Sequence, residues 1–141
     1  MAIVGVATNC LVLVNSVDLS NHCRGATWED SRAPVEVTAF GSAYVQETKG
    51  LGTAAITLTL LWDFAGGSVH ATLSPLIGSN TGVPVEVRPI NAARSATNPA
   101  ILLASAVLFT YPGSFTMGEA AEGEFEFRNS STGTGITYPT A

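Results

Sequence analysis

The chain has 141 residues, of which 12% are charged, and a formal net charge of −5. That length fits one domain, residues 1–141, able to bury a core without staples, and the charged share is about half the usual one, so either partners bury much of the surface or Thr, Ser and Asn keep it polar. The six basic residues (Arg24, Arg32, Lys49, Arg88, Arg94, Arg128) are scattered rather than clustered, which argues against holding nucleic acid by counterion release.

Met1 to Val14 is apolar but has no basic leading region and no convincing cleavage site, so it does not read as a signal peptide. Residues 1–9 are expected to be flexible or to order only in an assembly, and Cys10 to Val14 reads as a strand covered on both faces. Cys10 and Cys23 are expected to be free thiols of a protein made in the cytoplasm.

Further on, the dominant period is two. Val35, Val37 and Ala39 alternate with Glu36 and Thr38, after a turn signal at Arg32-Ala33-Pro34. Gly41 to Gly52 (GSAYVQETKGLG) is a polar, glycine-bounded connection, long for a hairpin loop, and ordered loops of that length usually carry function. In Thr53 to Trp62, Ile56, Leu58, Leu60 and Trp62 share one face against Thr57 and Thr59. From Ser68 to Ile77 the apolar residues Val69, Leu73, Leu76 and Ile77 fall at helical offsets, with Ser68 as cap and Gly78 as stop. Pro75 must kink or split that helix.

Val83, Val85 and Val87 then alternate with Glu86 and Arg88. Residues 91–100 are irregular, and Ile101 to Tyr111 is apolar enough to be covered on both faces. Phe125 and Phe127 alternate with Glu124, Glu126 and Arg128. Residues 129–141, rich in Ser, Thr and Gly, read as flexible or as ordered only against a neighbour. Short strands between turn signals predict a mainly β fold: a two-sheet sandwich or partial barrel with one short flanking helix at about residues 68–77.

The residues that carry chemistry elsewhere do not combine here. His22 and Cys23 are adjacent, so on a strand they face opposite ways and do not share a metal. Gly133-Thr134-Gly135 lacks the glycine spacing and the Lys of a phosphate loop. Trp28, Trp62, Phe64, Tyr44 and Tyr111 suggest a sugar-binding sandwich, but alternation puts both tryptophans on core faces and leaves Tyr44 as the contact aromatic. Glu122, Glu124 and Glu126 share one strand face, which fits a solvated band better than an acid–base pair facing across a cleft. No catalytic set, metal or cofactor is expected.

Val17 to Phe64 resembles the amino-terminal half of tail tube (major tail) proteins of long flexible-tailed bacteriophages. The likeness rests on Val17-Asp18-Leu19-Ser20 leading into a strand at Gly25 to Ser31, on Val37-Thr38-Ala39-Phe40-Gly41, and on Lys49-Gly50-Leu51-Gly52 leading into Thr53 to Trp62. It implies a structural virion protein rather than an enzyme, with a fold also shared by the type VI secretion tube protein. Six-subunit rings would join their sheets into an inter-subunit β-barrel and stack into a hollow tube that DNA passes through. The implied partners are further copies, then tape measure, terminator and tail-tip proteins, with no membrane and no specific DNA binding. The long loop, through Tyr44, Val45, Gln46, Glu47, Lys49 and Leu51, would reach the next ring, and Glu122, Glu124 and Glu126 would face the bore and repel phosphate. The rival expectations are a tail terminator, head decoration or secretion tube protein, and the sugar-binding module.

Overall fold

A computed structural model gives the structure of residues 9–141; the expectations for residues 1–8 lie outside the described residues. Eight strands form one antiparallel sheet: β1 (Leu11–Val14), β2 (Val17–Asp18), β3 (Cys23–Glu36), β4 (Glu47–Leu61), β5 (Val83–Arg88), β6 (Ile101–Leu108), β7 (Glu122–Asn129) and β8 (Ile136–Thr137). The order across the sheet is β2-β1-β5-β6-β7-β4-β3, and β8 pairs with β6 beside the place where β7 departs.

The two ends of that order are consecutive in sequence. Only Leu19 to His22, partly a 3-10 turn, separates β2 from β3, and so short a link spans at most roughly 17 Å. The sheet must therefore curl until its edges nearly meet, which makes a partial barrel with an open seam rather than two separate sheets. Its inner face is one core: Val12 and Val14 of β1, Val85 of β5, Leu103 of β6, Phe125 and Phe127 of β7, and Ile56, Leu58 and Leu60 of β4. The helix α1 (Val69–Leu73) adds Val69 and Leu73 to that core.

Several elements depart from the sequence pattern for identifiable reasons. The helix is split, not kinked: Ser74 N–H closes the last helical bond to His70 at 2.9 Å, Pro75 has no N–H to continue the ladder, and residues 74–79 turn instead. Ser68 stands at the N-cap but donates its hydroxyl to Asp63 Oδ2 at 2.8 Å rather than accepting a helix N–H. The strand signalled at Val35 belongs to β3, which runs straight through the Arg32-Ala33-Pro34 turn signal and ends at Glu36. Proline is tolerated there because β3 is the edge of the sheet, and the irregularity is taken up by a register shift opposite Gly50 and Leu51.

β1 is covered on both faces, as Leu11 and Val12 are both buried, but β6 is not. Leu102 and Val107 on its outer side are half-buried and Ala104 is exposed. Residues 129–141 lie against the chain's own sheet. There β8 pairs with β6, Ala100 N–H donates to Pro139 O at 2.9 Å, and Tyr138 O–H donates to Asp30 Oδ2 at 2.9 Å.

Candidate assembly surfaces

The sheet continues past its core as a two-stranded arm. The last buried residue of β4 towards its start is Ala54, and every residue from Thr27 to Lys49 is exposed. Pairing nevertheless persists to Glu36–Glu47, so the long connection shrinks to residues 37–46. That turn is closed by Val37 N–H to Gln46 O at 2.8 Å and Gln46 N–H to Thr38 Oγ1 at 2.8 Å. Of the contact candidates, Tyr44, Val45 and Gln46 lie in the turn, while Glu47, Lys49 and Leu51 lie on β4 itself. Tyr44 is 83% exposed and Leu51 89%, and Val35, Val37, Phe40 and Val45 are exposed beside them. Among the described residues, the outer edge of β3, 14 residues long, has no strand partner. Five charges, Arg24, Glu29, Asp30, Arg32 and Glu36, stand along it together with Pro34, features that discourage indiscriminate edge pairing.

Glu122, Glu124 and Glu126 do share the outer face of β7, opposite Leu61, Thr59 and Thr57 of β4. Two of them are paired: Glu122 with Arg24 of β3 at 2.9 Å, and Glu126 with Arg128 of its own strand at 2.7 Å. Both pairs are well exposed and so contribute little to stability. Glu124 is exposed and has no ion-pair partner among the described residues.

At the far end of β4 from the arm, aromatic rings are layered from core to solvent. Phe125 is fully buried, and Trp62 meets it edge-on at 5.3 Å and Tyr111 at 5.2 Å. Phe64 stacks on Trp62 at 5.5 Å with an 8° interplanar angle, and Phe115 leans on Phe64 at 6.2 Å. Phe64 and Phe115 (81% exposed) form the uncovered outer layer, and Met117 is fully exposed in the same loop as Phe115. The loop of residues 109–121 passes over Trp62 at Gly113, where a Cβ would sit in ordinary van der Waals contact with the indole at 3.4 Å. Sequence reading missed Phe115 and Met117. The available signal was isolated apolar residues inside a Pro- and Gly-rich segment, where turn chemistry alone calls for polar ones.

Trp28 is corrected outward. It has core parity opposite Ile56, but no element among the described residues covers β3 there, and it is 52% exposed at a cavity of about 490 Å³ along the seam. Cys10 and Cys23 line the same cavity as free thiols, and burial pushes the Cys23 thiol up.

His22, Asp63 and Ser68 meet, but not as a nucleophilic triad. Asp63 Oδ2 lies 2.9 Å from His22 Nε2, and Ser68 Oγ is 3.4 Å from that same nitrogen. A relay needs the acid and the nucleophile on opposite ring nitrogens, and His22 Nδ1 is buried without a partner among the described residues. Asp63 is a turn-former whose carboxyl is held below its ordinary value, chiefly by the Ala65 N–H and then by Ser68 and His22.

Glu86 was expected to face solvent and is instead 6% exposed. Residues 89–98 fold over it, tied together by Asn98, whose Oδ1 accepts from Ile90 N–H at 3.0 Å and whose Nδ2 donates to Ile90 O at 3.1 Å. One Glu86 oxygen receives Arg88 Nε at 2.7 Å and Arg94 Nε at 2.9 Å. Burial pushes this carboxyl up, yet the two guanidinium groups outweigh it and hold it below its ordinary value.

No protein-family model matches the sequence, and no curated protein matches it. Solved structures share the fold. A chain in the virion of a native gene transfer agent particle superposes with a TM-score of 0.69 at 10% identity, covering 92% of this chain and 95% of that one. A chain from the tail of an empty gene transfer agent particle of C6 symmetry gives 0.62 at 11%, covering 84% and 82%. A chain of the extended sheath–tube complex of an extracellular contractile injection system gives 0.67 at 13%, covering 94% and 89%. The resemblance carried by Val17 to Phe64 is thus matched by a shared fold.

Proposed function

We propose that the protein is a structural subunit of a tail-type tube, a virion component made in the bacterial cytoplasm. Copies join side by side through open strand edges into closed rings, and the rings stack through their arms into a hollow conduit for DNA. The observation that carries this reading is the arm with the bare edge of β3. A lone globule gains nothing from so much paired backbone and apolar side chain held in solvent, whereas a subunit completed by neighbours buries both. Head-to-tail contacts of this kind close into rings or run on into filaments according to the rotation between copies. Six copies per ring is the number suggested by the C6 tail whose chain shares this fold. Tape measure, terminator and tail-tip proteins are the further partners this role requires.

A tail terminator or head decoration protein predicts single rings or decoration of another lattice. The sugar-binding reading loses support from the aromatic end itself, since its exposed members, Phe64, Phe115 and Met117, offer no hydrogen-bonding group to a hydroxyl. Negative-stain electron microscopy of the purified protein over a concentration series tests the proposal. Long hollow tubes of constant width are expected, and a monomer that persists at high concentration would refute it.

A further inference from the structure

The stacking contact has a second half, and the course of β4 points to it. This single strand of 15 residues starts in the arm and ends at Leu61, where Trp62 and Phe64 begin the layered aromatic end. Fully extended it spans roughly 50 Å. The two large uncovered apolar surfaces, the arm (Val37, Phe40, Tyr44, Val45, Leu51) and the aromatic end (Phe64, Phe115, Met117), therefore lie at opposite ends of one covalent strut.

We propose that the aromatic end of each copy is the receiver for the arm of the next copy along the tube. A shift along β4 brings the arm of one molecule onto the aromatic end of another, and the same shift repeated gives an open series without new surfaces. The receiver is built for docking. Phe64 stacks on Trp62, which is itself held by Tyr111 and buried Phe125, so its position is set before contact and little ordering cost is left to binding, while Phe115 leans on Phe64. Its polar atoms are turned away: Trp62 Nε1 is buried, and Tyr111 O–H is engaged with His70 Nδ1. What remains is aromatic and thioether surface, the residue types enriched at interfaces, and it suits an apolar contact with Tyr44, Val45 and Leu51.

This inference rests on the tube reading, and one experiment separates the two. Tyr44 is replaced by the photo-crosslinking residue benzoylphenylalanine, tubes are assembled and irradiated, and crosslinked peptides are mapped by mass spectrometry. Crosslinks to residues 109–121 or to Phe64 of another copy are expected. Tubes that form normally but crosslink only to the outer face of β4 and β7, or to another arm, overturn the receiver while leaving the tube reading in place. A chain that never assembles overturns both. As an independent check, Phe115→Asp, on a side chain that touches only Phe64 among the aromatic rings, should raise the concentration needed for tube growth at least tenfold, with unchanged thermal unfolding of the subunit. An unchanged threshold would also overturn the receiver.

Discussion

Single residues of this chain are readable from the sequence when the backbone period alone places them. Phe125, Phe127, Ile56, Leu58 and Leu60 fall inward as alternation demands. Residues whose surroundings come from distant segments are not readable that way. Trp28 has the right parity and no cover among the described residues, while Glu86 has the wrong parity and is covered by residues 89–98. Glu86 offers a test. Glu86→Gln keeps the shape but weakens two charge-assisted bonds, and should lower stability by about 2 kcal/mol in urea unfolding at pH 7. Because the folded carboxyl lies below its ordinary value, its contribution is complete above the unfolded value of about 4.3 and is lost as pH falls through the folded one. The gap between wild type and variant should stay constant above about pH 5 and close below about pH 4. A gap that widened in acid would mean that burial, not the arginines, dominates.

At the scale of elements, β4 and β7 are legible because Leu, Ile and Phe alternate with Thr and Glu. The arm is not, because its outer half buries nothing, so the alternation of Val35, Val37 and Ala39 with Glu36 and Thr38 does not mark a core face. Arg32-Ala33-Pro34 carries turn chemistry, but a proline on a free edge forfeits no ladder bond, so β3 passes through it. The helix stops where Pro75 removes a donor, which the sequence allowed without deciding. Since residues 37–46 touch no core residue, replacing them with a two-residue Asn-Gly turn between Glu36 and Glu47 should leave thermal unfolding within a few degrees of wild type. The same variant should form no long tubes by electron microscopy, and normal tubes from it would remove the arm from the stacking contact.

For the whole molecule, the curl of the sheet follows from connectivity, since a short link ties its first and last strands. Sequence patterning shows which faces are apolar but not how far a sheet closes on itself. The assembly reading places the outer face of β7 towards the bore, and Glu124 is its carboxylate without an ion-pair partner among the described residues. Tubes carrying Glu124→Lys should retain short duplex DNA at low salt and release it as salt rises, whereas wild-type tubes exclude it. Equal DNA retention by both would put that face elsewhere.

The placement of β4 has a mechanical corollary. In the proposed stacked filament, tension would run through this strand, which is flanked by β3 on one side and β7 on the other. Pulling along a strand shears its hydrogen bonds together, while pulling across it breaks them one by one. A flexible filament built on such struts should bend at its joints well before any subunit ruptures.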